Sequence, residues 1–420
     1  MRLKTVLNKC CKYKSFVFAG ARFDEKMKSI IITILPRANS RPRCGCCERI
    51  GPGYDTAPEP RLFEHIPIWG FHIYFEYKMR RVACQYCHRV IVEKVPWADG
   101  KNHLTHYHCK YLADWAKLIS WKGVAERFRT SWQTVRKAVE TIVGFGLENR
   151  RVDNVEALGV DEIQWHRGHK YLTLVYQIDH GCRRLLWIGE KRTQKTLSRF
   201  FHEFKLKDKE FAGRIKFICS DMWKPYLKVI AKRLPGSIHI LDRFHIMQKF
   251  SKALDKVRAS EARRLKEEGK EPVLVKSRWC FLKRKSNLTG KQKFKLNELL
   301  QMNLRSVKAY LLKEQFQKFW EYKSPVWAGK YLDAWCGKTM RSRIEPMKDV
   351  AKMLRSHREL ILNYFRAKKR YNSGIVEGLN RKINLTVRKS FGFKSFGIIE
   401  TALFHQLGEL PEPEFTHEFW

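Results

Sequence analysis

The spacing of apolar residues divides the chain into stretches typical of strands and stretches typical of helices. The run "SIIITILP" (29–36) is continuous and predicts a strand, and two further strand-like stretches follow at 70–84 and 88–96. A group of turn-forming residues near Gly100 then interrupts the pattern, which predicts a boundary. Residues 103–148 change to helical spacing, with a short turn inside the helical region.

From residue 155 the pattern alternates between β-rich and helical segments. The predicted order is three strands, a helix, a strand, a helix and a strand, at 156–163, 171–179, 183–191, 194–205, 215–221, 224–233 and 237–242. This order is typical of a mixed α/β sheet. Residues 243–370 are mostly helical and strongly basic, and the last predicted helix covers 375–388.

The charge of the chain indicates a polyanionic partner. The 420 residues include 84 Lys and Arg against 42 Asp and Glu, a formal net charge of +42. Nucleic acid is the first candidate, because neutralising phosphates releases counterions, and an anionic membrane surface is the second. No run of about 18 apolar residues occurs, so we expect no membrane-spanning helix. The N-terminus lacks the apolar core of a signal peptide, which favours an intracellular protein.

Four of the twelve cysteines form two CxxC pairs, Cys44 with Cys47 and Cys84 with Cys87. Each pair turns two thiolates toward one point, and two such pairs complete a tetrahedral zinc site of the zinc-ribbon kind. Four thiolates leave no open position for a substrate, so the predicted role of Zn²⁺ is structural. Cys46 is an alternative ligand, and buried free thiols are the alternative to the whole site.

The segment "VAERFRTSWQTVRKAV" predicts a helix-turn-helix. Ser131 is placed to cap the second helix. Trp132, Gln133, Thr134 and Arg136 would begin that helix on its exposed side, where helix-turn-helix proteins enter the major groove. A plain helical hairpin is the alternative, but the net charge and the neighbouring zinc module favour DNA binding.

Two acids lie at the ends of apolar runs. Asp161 closes "EALGVD" and Asp221 closes "IKFICSD". Open α/β sheets place functional groups at that edge. An RNase H-like sheet sets its first and fourth strands side by side, so the two acids would lie close together, and a later helix would add Glu377. Three such acids can hold two divalent cations about 3.5–4 Å apart, and we expect Mg²⁺ or Mn²⁺, with DNA phosphates completing the ligands.

Glu377 is the single acid of the basic segment 371–394. On a helix it shares one face with Arg381, Asn384 and Arg388. It is therefore either an ion-pair partner of Arg381 or a metal ligand beside three residues that contact phosphates of one DNA strand. A basic helix that only bound DNA would gain nothing from the acid, because a carboxylate repels the phosphate backbone.

Two further groups have competing interpretations. Asp242 and His245 in "LDRFH" are interpreted first as a helix cap and a ring at the edge of the core, and second as supports of the metals or phosphate contacts. Trp320, Trp327 and Trp335 belong either to a helical core or to a platform that stacks an unpaired base.

With these residues the chain resembles the ISL3 family of transposases, DDE enzymes encoded by bacterial insertion sequences. The likeness covers nearly the whole chain and rests on the motifs "RLFEHIPIWGF…RRVACQYCHRVIVEKVP", "GVDEI", "SDMWKPY", "LDRFHIMQ" and "NSGIVEGLNRKINLTVRKSFGF". It implies an RNase H-like domain with Asp161, Asp221 and Glu377 as the metal-binding triad, and recognition of terminal inverted repeats. His88 stands where many relatives have glycine.

The resulting prediction is a multidomain α+β protein. Its parts are a zinc-ribbon region (1–100), a helix-turn-helix (101–150), an RNase H-like α/β catalytic domain (151–245 and 371–405), a helical insertion (246–370) and a peripheral acidic tail (406–420). It would bind terminal inverted repeats and target DNA, cut with Mg²⁺ or Mn²⁺, and join the 3′ ends to the target. We expect a dimer or larger assembly in the bacterial cytoplasm, on the nucleoid, with neither a membrane nor a small-molecule substrate. A catalytically silent DNA-binding regulator and an RNase H-like nuclease are the alternatives.

Overall fold

The computed structural model describes residues 3–166, 168–371 and 374–413. The chain forms two compact units. Unit 1 combines the residues up to Arg151 with those from Thr386 onward, and unit 2 is Val152–Leu385. Residues 371–405, which the sequence assigns to the catalytic domain, are thus divided between the units.

Unit 1 begins with a helix and two small sheets. Its elements are α1 (Leu3–Cys10), β1 (Phe16–Asp24), β2 (Ser29–Pro36), β3 (Gly53–Thr56), β4 (Arg61–Ile68), β5 (Phe71–Tyr77), β6 (Arg80–Cys84) and β7 (Arg89–Val92). The strand orders are β1-β2-β5-β4 and β3-β6-β7. Trp97 is fully buried in the core of this region, where it packs edge-on against Phe16, Phe63 and Tyr77.

Three helices follow, α2 (His106–Leu118), α3 (Trp121–Arg127) and α4 (Trp132–Asn149). Each begins at a hydroxyl cap, because the side chains of Thr105, Ser120 and Ser131 accept a hydrogen bond from an amide of the first turn. The predicted cap at Ser131 is confirmed by the bond from the Thr134 amide, at 3.0 Å.

Unit 2 begins with β8 (Ala157–His166), β9 (Lys170–Asp179), β10 (Cys182–Glu190), α5 (Gln194–Lys207), α6 (Phe211–Arg214), β11 (Phe217–Ser220), α7 (Lys224–Arg233) and β12 (Ile238–Leu241). The five strands form one sheet in the order β10-β9-β8-β11-β12. β8 pairs antiparallel with β9 and parallel with β11. The prediction that the first and fourth strands are neighbours is therefore confirmed.

The basic stretch after β12 consists of helices joined by loops, and its described residues include no strand. It contains α8 (Arg243–Glu267), α9 (Arg278–Leu282), α10 (Gly290–Leu300), α11 (Arg305–Gln317), α12 (Pro325–Met340), α13 (Glu345–Ser356) and α14 (Arg358–Arg366), with two short 3-10 helices at Lys285–Asn287 and Lys318–Glu321. Its core includes Phe250, Phe316 and Trp335, whose rings are in contact.

Two helices close the chain, α15 (Gly374–Lys389) and α16 (Phe396–Leu407). The prediction that the last helix ends at 388 was wrong, since α16 follows it in unit 1. The apolar positions Ile399, Ala402 and Leu403 of α16 are buried, and their helical spacing is visible in the sequence.

Part of the predicted tail 406–420 packs within unit 1. Leu407, the last residue of α16, is buried, and Glu412 forms ion pairs with Lys110 and Lys117 of α2. Glu412 is thus held beside α2 by lysines of the same unit. Residues 414–420 lie outside the described part of the chain.

Gly159 on β8 allows α15 to approach the sheet in unit 2. A Cβ atom at this position would lie 2.7 Å from Cγ2 of Val376 and 3.2 Å from Cγ2 of Ile178. Both neighbours are buried, β-branched side chains with restricted rotamers, so neither can move aside without disturbing the core.

We expect Gly159→Val to lower the apparent free energy of unfolding by about 1–3 kcal/mol, because it overpacks this contact. The urea midpoint of the purified variant measures the effect. Gly213→Val is the matched control, since Gly213 is exposed in α6 and its nearest atom would be 4.0 Å from the added carbon. Equal midpoints for Gly159→Val and the wild type would contradict this account of the contact.

Candidate active site and metal centre

The four predicted cysteine ligands come together in unit 1. Cys44, Cys47, Cys84 and Cys87 have sulfur atoms within 4.8 Å of one another. The Sγ–Sγ distances are 3.9 Å for Cys44 with Cys87 and 3.5 Å for Cys47 with Cys84. Tetrahedral thiolates at the usual Zn–S length of about 2.3 Å stand about 3.8 Å apart, so the arrangement fits zinc.

Backbone amides point at this cluster. The amide of Cys46 donates to Sγ of Cys44 and the amide of Cys87 to Sγ of Cys84, each at 3.4 Å. The bond from the Cys87 amide is the largest influence on the Cys84 thiol and lowers its pKa to about 6. Amides that stabilise thiolates in this way prepare them as metal ligands. Cys46 is exposed and its sulfur is not part of the cluster.

The residue after each cysteine pair takes a left-handed backbone conformation, Glu48 with φ of 60° and His88 with φ of 50°. That region of φ favours glycine, because a Cβ there crowds the backbone. The turn at His88 therefore forms despite the missing glycine, and it matches the turn at Glu48.

Asp161 lies inside β8 rather than at its end, since the strand continues to His166. Its Oδ2 accepts a hydrogen bond of 2.6 Å from the side-chain amide of Asn380, and the oxygen of that amide accepts one of 2.6 Å from the Tyr176 hydroxyl. Burial is the main reason that the pKa of Asp161 is raised. Asn380, which sequence reasoning missed, therefore links α15 to the first acid.

Asp221 directly follows β11, as predicted. β8 and β11 are parallel, and Cys219 pairs with Gly159. Asp161 and Asp221 each come two residues after this pair, Asp161 within β8 and Asp221 one residue beyond the end of β11. Oδ1 of Asp221 accepts a hydrogen bond of 2.9 Å from the amide of Trp223, which fixes the turn into α7.

Glu377 lies in the first turn of α15 and forms an ion pair of 2.6 Å with Arg381, one helical turn later. Asn384 and Arg388 are exposed. Both partners of the pair are substantially exposed, and such surface pairs contribute about 0–1 kcal/mol. The ion pair with Arg381, which the sequence analysis gave as one of two alternatives, is thus present. It is weak enough that Glu377 can exchange Arg381 for another positive partner.

The three acids do not form a tight cluster. In the described parts of the chain, the cysteines are the one group of three or more ligating side chains whose donor atoms all lie within 4.8 Å of one another. Carboxylates repel each other, and those that bind two separate cations need not all meet at one point.

A second charged group adjoins the site. Glu162, the neighbour of Asp161, forms a 2.6 Å ion pair with Arg192, whose guanidinium stacks over Trp223 at 4.4 Å. Burial, followed by the charge of Asp221, raises the pKa of Glu162 to about 8. The sequence contained the acid but no signal that Arg192 would join it.

Asp242 is a helix cap, as the first of its two interpretations predicts. Oδ1 of Asp242 caps α8 by accepting a 2.6 Å hydrogen bond from the Phe244 amide, and His245 lies 3.6 Å from the same carboxylate. Both residues are also close enough to Asp161 to act on its pKa, His245 lowering it and Asp242 raising it.

Of the four residues of α4 predicted to contact DNA, two are exposed to solvent and two are engaged in contacts within the protein. Trp132 and Gln133 are exposed. Thr134 is half-buried and bonds to the Ser131 hydroxyl at 2.9 Å, and Arg136 forms an ion pair of 2.7 Å with Glu140.

The insertion tryptophans differ from one another. Trp335 is 3% exposed and donates a 3.0 Å hydrogen bond to the Leu312 carbonyl, and Trp320 is also buried. These two belong to the core, so the stacking interpretation was wrong for them. Trp327 is 60% exposed, with the Lys330 ammonium 4.5 Å from its ring centre.

None of the helices in the described residues has the length and apolar character needed to cross a membrane.

Comparison with known proteins identifies the family. The sequence profile of the ISL3 group of DDE transposases, described as "Transposase", matches residues 158–402. The transposase for insertion sequence element IS1001 of Bordetella parapertussis is 27% identical over 352 residues, which cover 83% of this chain and 85% of that protein. The transposase for insertion sequence element IS1557 of Mycobacterium tuberculosis is 29% identical over 396 residues, which cover 87% and 86%.

Among solved structures, a Drosophila P element transposase strand transfer complex matches 72% of this chain and 92% of its own chain. At 10% identity and a TM-score of 0.39, this likeness is too distant to bear on fold or function. The family profile covers more than half of the chain. The protein therefore belongs to the ISL3 family of insertion-sequence transposases and acts in DNA transposition.

Proposed function

We propose that this transposase cuts DNA at the terminal inverted repeats of its element and joins the 3′ ends to a target, with Asp161, Asp221 and Glu377 as the metal-binding triad. The observation that supports the proposal is the parallel pairing of β8 with β11, in which Gly159 and Cys219, each two residues before one of the acids, are partners. The hydrogen bond between Asn380 and Asp161 supports it further, because Asn380 lies on the same helix as Glu377.

The donor set fits Mg²⁺ or Mn²⁺, because it consists of carboxylate oxygens with room for phosphate oxygens and water. Two such ions would supply activation of the attacking water or 3′-hydroxyl and stabilisation of the leaving oxygen. Asp161 contributes a half-buried carboxylate whose pKa is raised mainly by burial, so its charged form is stabilised by a positive partner. Asn380, held by Tyr176, orients that carboxylate, and Glu377 can leave its weak pair with Arg381.

The remaining residues bind DNA in this proposal. Gln133 and Trp132, with Thr134 and Arg136, present the start of α4 to the major groove of the terminal repeats. Arg381, Asn384 and Arg388 follow one face of α15 and contact phosphates next to the cut. Trp327 is the one insertion tryptophan left as a platform for an unpaired base, with Asp242 and His245 supporting the site beneath.

The N-terminal cysteines hold a structural Zn²⁺ that stabilises the small sheet β3-β6-β7. The RNase H-like architecture, the helical insertion and the domain boundaries predicted above belong to the same proposal. Because transposition couples two DNA ends, we expect a homodimer or larger assembly on DNA, working in the bacterial cytoplasm on the nucleoid.

The test of the proposal is an end-cleavage and strand-transfer assay on DNA carrying the termini of the element, with Mg²⁺ or Mn²⁺. We expect the wild type to nick and join. Glu377→Gln should lower both rates by more than about 100-fold, because it removes a metal ligand. Glu345→Gln is the control, since Glu345 is also an exposed helical acid paired with a lysine.

Each other outcome of this assay contradicts part of the proposal. Equal cleavage by the wild type and Glu377→Gln would leave Glu377 as only an ion-pair partner. Tight binding of the ends without cleavage would favour the silent regulator, and cleavage without joining would favour the nuclease.

DNA binding should separate into a phosphate part and a sequence-reading part. We expect Arg388→Gln to weaken binding to all DNA and to reduce the slope of log K against log salt by about 1. Gln133→Ala should keep the slope and lose about tenfold of the preference for the element termini. Anisotropy titrations at several salt concentrations measure both effects.

The control is Gln301→Ala, because Gln301 is an exposed glutamine that follows α10. If the wild type shows no preference for the element termini, α4 does not recognise their sequence.

Metal analysis tests the zinc site. We expect about one zinc per purified chain, and a large loss of zinc together with a lower melting temperature in Cys84→Ser. Cys46→Ser is the matched control, because this neighbouring thiol is outside the cluster. A loss of zinc in Cys46→Ser but not in Cys84→Ser would make Cys46 the ligand.

A further inference from the structure

A pocket of about 640 Å³ lies in unit 1 beside the first residue of α4. It is formed by α3, by Trp132 and by the loop between α15 and α16. Its volume is within the range of small-ligand sites. Four aromatic side chains, with two lysines, line it: Trp121, Trp132, Phe391, Phe393, Lys122 and Lys394.

Phe391 is displayed to solvent by the backbone of this loop. Its side chain is 98% exposed and its φ is 53°. The turn is closed by hydrogen bonds from the amides of Phe391 and Gly392 to the carbonyls of Arg388 and Val387, each at 3.1 Å, and Gly392 has φ of 95°. A left-handed conformation is unfavourable for phenylalanine. The loop thus accepts backbone strain while it holds an apolar ring in water.

The loop is fastened next to the helix-turn-helix. Nζ of Lys389 donates to the carbonyl of Lys117 at 2.9 Å, and the side-chain amide of Gln406 donates to the same carbonyl at 3.0 Å. Both also bond to the carbonyl of Ala116. These contacts tie the end of α15 and the last turn of α16, the two helices that the loop joins, to the C-terminal end of α2.

The charges around the pocket select among its possible occupants. Lys122 and Lys394 are exposed, and Glu126 is the one acid that lines it. Lys122 and Glu126 are 3.7 Å apart and largely exposed, which makes their attraction weak. DNA brings phosphates to these two lysines, whereas a second copy of a chain with a net charge of +42 brings mostly further positive charge. A ligand with a flat apolar face and negative charge suits both the aromatic rings and the lysines.

We propose that the pocket binds one unpaired nucleotide of DNA, with its base stacked against Phe391 and Trp132 and its phosphate beside Lys122 and Lys394. A base inside a duplex is stacked on its neighbours and cannot enter, so the nucleotide is a single-stranded or extrahelical one. The inference rests on the DNA binding proposed above and adds a site for distorted or open DNA next to the start of α4.

The experiment uses the full-length protein and two labelled DNA probes, a short duplex and the same duplex with one unpaired 2-aminopurine in its centre. We expect the bulged probe to bind about tenfold more tightly, because stacking of one base on an aromatic side chain contributes affinity of that order. The fluorescence of 2-aminopurine should fall on binding as the base stacks. Phe391→Ala should abolish both effects and leave binding of the plain duplex unchanged.

Two further variants keep the test sharp. Phe391→Tyr should retain the preference and the quenching, because it keeps the ring. Phe294→Ala, which removes another exposed phenylalanine, should behave as the wild type. Circular dichroism establishes that each variant is folded.

Several results would overturn the inference. The first is that the wild type binds the two probes equally. The second is that Phe391→Ala loses affinity for both probes to the same extent. The third is that sedimentation shows a changed oligomeric state for Phe391→Ala, which would assign the pocket to a second copy. Absence of binding to either probe would instead contradict the proposed DNA partner itself, and the inference with it.

Discussion

The close approach of α15 to β8 is the contact on which the candidate active site depends. Gly159 leaves room for Val376 against the strand, and the amide of Asn380 reaches Asp161 at 2.6 Å. Without this contact the third acid would be carried by a basic helix with no fixed relation to the sheet. The amide oxygen of Asn380 also accepts a hydrogen bond from the buried Tyr176 hydroxyl, which orients the amide nitrogen toward Asp161. The sheet thus determines both the position of the helix and the direction of its polar groups.

The acids at the candidate site differ in their electrostatic surroundings. Asp161 and Glu162 are partly withdrawn from water, and burial raises the pKa of both. Their negative forms therefore need a positive partner, which Arg192 supplies to Glu162 and which the proposed cations would supply to Asp161. Glu377 differs, because it is solvated and weakly paired. The two carboxylates thus differ in their surroundings, since Asp161 is hydrogen-bonded to Asn380 and Glu377 is paired only with an exposed arginine.

Unit 1 contains three features to which the proposals assign a metal or DNA: the cysteine cluster, the exposed start of α4 and the aromatic pocket beside it. The sheet β3-β6-β7, which carries Cys84, has a small apolar core, since Tyr54, Val90 and Val92 are exposed and Val82 is buried. A metal held by the four cysteines would add to the stability of so small a core. The loop that lines the pocket joins two helices, α15 and α16, which hydrogen bonds from Lys389 and Gln406 connect to the end of α2.

Local patterns of the sequence determined the elements and the candidate ligands. Paired cysteines and a serine before a helical run each act over a few residues, so the cysteine cluster and the cap at Ser131 were predictable. The neighbouring strands of Asp161 and Asp221 were predictable only from the strand order of an RNase H-like sheet. Tertiary structure alone decided that Asn380 and Arg192 join the acids, that Trp335 is core while Trp327 is exposed, and that α16 and Glu412 pack with the N-terminal helices. Those outcomes depend on which distant surfaces meet, and a local pattern such as the apolar spacing of α16 does not specify the partner of a side chain.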